Sequence, residues 1–112
     1  MAENVENKEM DFEETVMTLV STSGSAHACS IEAIRKARTG DFKAADEIIA
    51  EGQQALQIAH DLHFRIMKNS MKDPGAKELS LLLTHAQDHL MNAQTSSDLA
   101  KEIIEICKIV IK

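Results

Sequence analysis

Hydrophobic and small residues recur along the middle of the chain at alternating intervals of three and four positions. The series is Phe42, Ala45, Ile49, Gly52, Leu56, Ala59, His63 and Ile66. Because an α-helix turns once in about 3.6 residues, this spacing places all of them on one side of a helix. The pattern predicts a long helix whose apolar side packs against other helices.

Two short segments interrupt the helical pattern. Thr39-Gly40-Asp41 supplies a glycine suited to the end of one helix and an aspartate suited to the start of the next. Asp73-Pro74-Gly75 lies in the second break. We predict helices over residues 11–38, 41–70 and 77–111, with short connections that make them antiparallel neighbours. Residues 1–10 are predicted to be a flexible tail, and residues 11–112 a single domain.

The first helix has the weakest pattern, because residues 21–30 are rich in serine, threonine and glycine, which have low helix propensity. Its predicted apolar stripe is Val20, Gly24, His27, Ile31 and Ile34. We expect Gly24 to permit close approach of a neighbouring helix. We expect His27 to be a partly buried imidazole on the stripe, and His60 and His63 to be partly buried with hydrogen-bond partners.

The third helix carries two apolar sides instead of one. The first side comprises Leu79, Leu82, Leu83, Ala86, Leu90, Ala93, Ala100 and Ile104. The second comprises Leu81, His85, Asp88, His89, Asn92, Leu99, Ile103, Ile106 and Val110. Packing on the other two helices covers only one side, so the second predicts self-association along this helix. Four polar residues interrupt the second side, and they require partners or a ligand if they are buried.

The composition favours an all-α fold, a three-helix bundle. The chain has 112 residues, 44% of them hydrophobic but only 3% aromatic, with a single proline. Its formal charge of −6 argues against binding of nucleic acids or of anionic membranes. No apolar run is long enough to span a bilayer, so no direct membrane insertion is expected. Cys29 and Cys107 form no C-x-x-C pair and are read as small buried residues of a cytoplasmic protein.

His85 and His89 lie one helical turn apart, as in zinc hydrolases with the H-E-x-x-H motif. Ala86 occupies the position of the glutamate base and no obvious third ligand follows in the sequence, which argues against that chemistry. Imidazole is also a nucleophile near neutral pH, and attack on phosphorus gives a phosphoramidate suited to onward transfer. The chain has no glycine-rich nucleotide loop, which argues against a nucleotide-dependent kinase but is compatible with a carrier that another protein phosphorylates.

The segment Leu83-Thr84-His85-Ala86-Gln87-Asp88-His89-Leu90-Met91 resembles the active-site segment of the lactose/cellobiose-class enzyme IIA proteins of the bacterial sugar phosphotransferase system. Gly24 with Ala26, residues 36–42 with Ala45, and Ala59-His60 lie in similar order, so the resemblance spans about residues 12–112. Ala86, where lactose-type members tend to have glycine, favours a cellobiose or chitobiose type.

The resemblance implies a homotrimer of three-helix subunits. His85 would accept a phosphoryl group from the histidine phosphocarrier protein and pass it to a cysteine of the IIB component, which phosphorylates the sugar during uptake through IIC. His89 and Gln87 would neighbour the active site, although Gln87 lies on the polar arc of the helix. Asp88 resembles the residue that gathers at the trimer axis, where a divalent cation, Mg²⁺ by expectation, is bound.

Two departures from the family pattern concern polar side chains. The family usually has arginine where this chain has His27, and glutamine where it has His63. Two other interpretations remain open from the residues alone. One is a metal-binding bundle in which His27, His63, His85 and His89 converge on one ion. The other is a structural bundle in which the polar cluster fixes the register of the oligomer.

Overall fold

The computed structural model describes residues 12–72 and 81–111, without the side chains of residues 70–72. The predicted tail over residues 1–10 and the predicted helix start at residue 77 lie outside the described residues. Three α-helices are present: α1 (Phe12–Arg38), α2 (Phe42–Lys72) and α3 (Leu81–Val110). The described part of the chain contains no β-strand. The predicted all-α, antiparallel three-helix bundle is therefore confirmed, with helix bounds close to those expected.

The turn between α1 and α2 follows from residues 39–41. Gly40 has a φ of 89°, a conformation that glycine adopts without steric cost. Its N–H donates to the carbonyl of Ala37 at 2.9 Å, and the N–H of Asp41 donates to the carbonyl of Lys36 at 3.0 Å. The Asp41 carboxylate in turn accepts from the N–H of Ala44 at 3.2 Å, which caps α2. The predicted helix end and helix start are both confirmed.

The predicted apolar sides of α2 and α3 form the core. On α2, Ala45, Ile49, Gly52, Leu56, Ala59 and Ile66 are buried, as are Leu83, Ala86, Leu90, Ala93, Ala100 and Ile104 on α3. The core has two apolar clusters, one at each end of the bundle. Both clusters include residues of all three helices, so burial of apolar area holds the bundle together along its length.

The predicted apolar stripe of α1 is wrong, because the buried residues lie one position earlier in the sequence than the predicted ones. Its buried residues are Thr15, Val16, Leu19, Ser23, Ala26, Ser30, Ala33 and Ala37. In contrast, Gly24, His27 and Ile31 are exposed, and Val20 and Ile34 are half-buried. The helices approach one another through serine and alanine, whose low hydrophobicity hides the buried face from a search for large apolar residues.

The close helix approach expected at Gly24 occurs at Gly52 instead. Apart from the adjacent backbone of its own helix, no described residue comes within 4 Å of the position that a Cβ at Gly24 would occupy, whereas a Cβ at Gly52 would lie 2.7 Å from the Cβ of Cys29. Cys29 is half-buried rather than buried, and Cys107 is buried. Burial, followed by the charge of Glu51, raises the pKa of the Cys29 thiol, which disfavours the reactive thiolate.

In the described part of the subunit, the second apolar side of α3 is largely exposed, as predicted. Its large exposed residues are Leu81, Leu99, Ile103, Ile106 and Val110, with exposed fractions from 36% to 88%.

None of the described helices is both long enough and apolar enough to cross a bilayer.

Candidate functional site

The polar cluster lies near the N-terminal end of α3, on the side that faces away from the core. His85, Asp88 and Asn92 are exposed, and His89 is half-buried. Their spacing along the helix places these four residues on one side of α3. That side faces outwards because the opposite side, with Leu83, Ala86 and Leu90, is buried in the core. His85 and Asp88 line an open depression together with Leu81, Leu82 and Thr84. The ring of His85 is therefore accessible from outside the subunit.

The two imidazoles of the cluster contact each other directly. Nε2 of His89 lies 3.1 Å from Nε2 of His85. The ring centroids are 4.5 Å apart, and the ring planes are nearly perpendicular at 83°. A hydrogen bond between two ring nitrogens requires that one carries the proton and the other offers its lone pair. His89 is thus placed to set the tautomer and orientation of His85.

Asp88 lies on the same exposed side as His85 and has a weak local partner. The side-chain amide of Asn92 donates to its carboxylate at 3.5 Å, the outer limit for such a contact. A carboxylate that remains open to solvent fits a role as an oxygen ligand for a hard cation such as Mg²⁺.

Gln87 points away from His85 and contacts α2. Its amide nitrogen lies 3.0 Å from Nε2 of His63 and 3.6 Å from the sulfur of Met67. An amide N–H is a donor only, so Nε2 of His63 accepts and the imidazole is neutral in this arrangement. Burial, followed by the charge of nearby His60, lowers the pKa of His63. Both effects favour the neutral ring that the contact with Gln87 requires.

A second histidine–glutamine pair joins α2 to α3 further along the bundle. Nε2 of His60 donates to the side-chain oxygen of Gln94 at 2.8 Å, and the amide nitrogen of Gln94 donates to Asp98 at 3.0 Å. The expectation that His60 and His63 are half-buried and hydrogen-bonded is confirmed. Gln94 was not among the predicted site residues. Gln87 and Gln94 are seven residues apart, so both lie on the same side of α3. This spacing is the sequence feature that points to a contact between Gln94 and α2.

His27 does not have the environment expected for it. It is exposed, and its Nδ1 lies 3.0 Å from the hydroxyl of Ser96 on α3. His27 therefore pairs with Ser96, His63 pairs with Gln87, and His85 pairs with His89. In the described residues of one subunit, no group of three or more His, Cys, Asp or Glu side chains is placed to hold a metal ion. The interpretation in which four histidines of one chain converge on one ion is wrong.

The sequence matches the family model described as "PTS system, Lactose/Cellobiose specific IIA subunit" over residues 14–108. The chain is 36% identical to the oligo-beta-mannoside-specific EIIA component of Bacillus subtilis, over 94% of this chain and 90% of that protein. It is 35% identical to the N,N'-diacetylchitobiose-specific EIIA component of Escherichia coli, over 86% of this chain and 82% of that protein.

Solved structures show the same relationship. The cellobiose-specific enzyme IIA of Bacillus anthracis superposes with a TM-score of 0.82 at 35% identity, covering 93% of this chain and 95% of that one. The IIA(Chitobiose) of Escherichia coli, solved in complex with HPr, superposes with a TM-score of 0.78 at 33% identity. That superposition covers 89% of this chain and 96% of the chain compared.

Proposed function

This chain belongs to the lactose/cellobiose-specific IIA family of the sugar phosphotransferase system, and on that premise we propose that His85 is the residue that carries the phosphoryl group. As a member of this family, the chain is a phosphotransferase component of a cellobiose- or chitobiose-type system. The observation that supports His85 is its exposed ring, which lines an open depression on α3 beside a half-buried histidine partner. The other histidines of α1 and α2 are paired with side chains of α3.

His85 accepts the group from the phosphohistidine of the histidine phosphocarrier protein, HPr. A lone pair of the His85 ring forms the new N–P bond while the N–P bond of the donor breaks, and the electron pair of that bond returns to the donor imidazole. No nucleotide or redox step is involved. The reaction depends on in-line placement of the two rings and on donors that stabilise the phosphoryl oxygens. The contact with His89 supports this role because it orients the accepting ring.

The phosphoryl group then passes to a cysteine of the IIB component, by the same exchange with a thiolate as the attacking group. The bond from nitrogen to phosphorus breaks, and the imidazole of His85 is regenerated. An acceptor and a donor protein must reach the same ring in turn, so the ring has to be approachable. In the single subunit, the open depression formed by residues of the first turns of α3 supports such an approach.

The subunits assemble as a homotrimer through the outer side of α3. The exposed apolar residues Leu99, Ile103 and Ile106 continue the line of His85 and Asp88 along the helix. Exposed apolar side chains in such a row are costly in water, and a threefold contact between identical helices would cover them. Three copies of Asp88 would then share a divalent cation, because clustered carboxylates repel one another without one.

Two departures from the family pattern place histidines where phosphoryl-binding side chains are expected. His27 replaces an arginine and His63 replaces a glutamine. Within the subunit His27 contacts Ser96 and His63 contacts Gln87. These contacts indicate structural roles between helices and leave His85 as the acceptor, with His89 as its orienting neighbour.

Phosphoryl uptake from labelled phosphoenolpyruvate, in the presence of enzyme I and HPr, tests the proposal. The parent chain should acquire label that is stable in alkali and labile in acid, as phosphohistidine is. The His85→Ala variant should acquire none, whereas His60→Gln, which changes the histidine of α2 that is paired with Gln94, should be labelled like the parent. Equal labelling of His85→Ala and the parent would show that another residue is the acceptor.

A further inference from the structure

The contact between His85 and His89 has a geometry that suits a shared metal ion as well as a hydrogen bond. Their Nε2 atoms are 3.1 Å apart. Two imidazole nitrogens on one tetrahedral zinc ion, each about 2.0–2.1 Å from the metal, are separated by about 3.3 Å. Binding of one ion requires both rings to carry their proton on Nδ1 and to rotate so that both Nε2 lone pairs face the ion. The helix backbone at both positions is regular, so the spacing is built in.

We propose that His85 and His89 form a two-histidine site for a zinc-like transition-metal ion, and that the bound ion prevents phosphoryl transfer. The metal-binding half of this proposal stands on the geometry alone. The inhibitory half rests on the proposed function, because it requires His85 to be the phosphoryl acceptor.

The chemistry of the two side chains favours borderline-soft metals. Neutral imidazole is a good ligand for zinc, copper and nickel. Two histidines one helical turn apart are also the arrangement with which helical zinc motifs hold their ion. Ala86 stands where those motifs place a general base, so the pair would bind an ion without activating water for hydrolysis. No third His, Cys, Asp or Glu joins the pair within the described residues of one subunit, and water completes the coordination.

This site differs in chemistry from a cation site at Asp88. Magnesium and calcium prefer oxygen ligands, and three chains would share one such ion. The imidazole pair prefers zinc, and every chain carries one pair. The two sites therefore differ in metal preference and in stoichiometry, which are both measurable.

Metal binding and phosphorylation exclude each other at His85. The metal–nitrogen bond uses a lone pair of the imidazole, and the ion with its waters occupies the space in front of the ring. An ion that binds only the unphosphorylated ring shifts the equilibrium away from phosphohistidine by mass action. No covalent bond of the protein forms or breaks in the process, so removal of the metal should restore the acceptor.

Calorimetric titration of the full chain with zinc sulfate tests the binding half. We expect one zinc ion per chain, and an affinity at least about tenfold lower in His89→Gln and in His85→Gln, since each retains only one imidazole ligand. His27→Gln, which removes an exposed histidine elsewhere, should bind zinc like the parent. Excess Mg²⁺ should not displace the zinc. A parent chain that binds no zinc, or His89→Gln and His85→Gln variants that are folded by circular dichroism and bind it equally well, would overturn the site.

Phosphoryl transfer from purified phosphorylated HPr tests the inhibitory half without exposing enzyme I to zinc. Zinc at saturation should slow transfer to the parent at least about tenfold, and a chelator should restore it. Fractional inhibition should be much smaller in His89→Gln. Inhibition that is equal in the two proteins, or zinc binding without inhibition, would contradict this half. A metal-free parent that accepts no phosphoryl group would contradict the proposed function, whereas the calorimetric result would stand by itself.

Discussion

The side-chain amide of Gln87 donates to Nε2 of His63 at 3.0 Å, and this contact connects α2 to α3 two residues along the chain from His85. The arrangement requires a neutral His63. Burial and the charge of His60 lower the pKa of His63 from its ordinary value of 6.5. The folded state therefore binds a proton at His63 less readily than the unfolded state does.

This relationship predicts that His63 makes stability depend on pH. Because the folded-state pKa is lowered, neutral His63 makes its full contribution to the free energy of unfolding above the unfolded pKa of 6.5. That contribution is lost as pH falls through 6.5 towards the folded pKa. The urea midpoint of the parent should fall between about pH 7.5 and about pH 5. In His63→Gln the part of that fall due to His63 should be absent. An identical fall in the two proteins would show that other groups are responsible.

The close contact at Gly52 predicts that Gly52→Ala destabilises the bundle. The added Cβ would lie 2.7 Å from the Cβ of Cys29, so the helices must move apart. Overpacking of this kind costs about 1–3 kcal/mol, more than the roughly 1 kcal/mol that alanine gains over glycine in a helix. Gly24→Ala is the matched control and should be neutral or stabilising by up to about 1 kcal/mol, because that position is open. Urea unfolding measures both, and equal effects would contradict the placement of α1 against α2.

The buried hydroxyl of Ser23 predicts a stabilising substitution. Ser23 is 1% exposed, and its Oγ has no hydrogen-bond partner among the described residues. Ser23→Ala removes this uncompensated polar group and should raise the free energy of unfolding by about 1 kcal/mol. Ser30→Ala is the control, since the equally buried Ser30 donates to the carbonyl of Ala26 at 3.2 Å. The free energy of unfolding should increase less in Ser30→Ala than in Ser23→Ala. A loss of stability in Ser23→Ala would indicate a partner for the hydroxyl in the assembled protein.

The large exposed residues of α3 predict that one charge on its outer side disrupts the proposed homotrimer. Ile106 is 57% exposed and lies in line with Leu99 and His85, whereas Ile58 on α2 is 52% exposed and lies outside this row. Ile106→Glu should reduce the solution mass from that of a trimer to that of a single chain, because a buried unpaired carboxylate is strongly unfavourable. Ile58→Glu should leave the mass unchanged. Light scattering after size-exclusion chromatography makes the comparison, and a trimer that persists in Ile106→Glu would place the interface elsewhere.

The sequence patterns predict α2 and α3 well because large apolar residues mark their buried sides. They fail on α1, where Ser23, Ala26 and Ser30 form the middle of the buried face and the larger Ile31 is exposed. Buried residues are normally large and hydrophobic. Where two helices pack closely, however, small residues occupy the buried positions instead. Gly52 is a further example, since a glycine within a helix gives no sign of which neighbour it accommodates.

The candidate site divides in a similar way. The alignment of His85, Asp88 and His89 follows from helical spacing, because all three belong to one helix. The pairs His63–Gln87 and His60–Gln94 depend on how α2 and α3 are placed lengthwise, which periodicity along one helix does not specify. In the proposed homotrimer the environment of Asp88 would depend on neighbouring copies of the chain, so its role as a cation ligand remains a prediction.

The position of the phosphoryl group tests the central claim most directly. The chain would be phosphorylated by phosphorylated HPr, digested at neutral to alkaline pH, and its histidine-containing peptides compared by fragmentation mass spectrometry. The account predicts one phosphoryl group per chain on His85, with His27, His60, His63 and His89 unmodified. A phosphoryl group on any of those four histidines, with His85 unmodified, would contradict it.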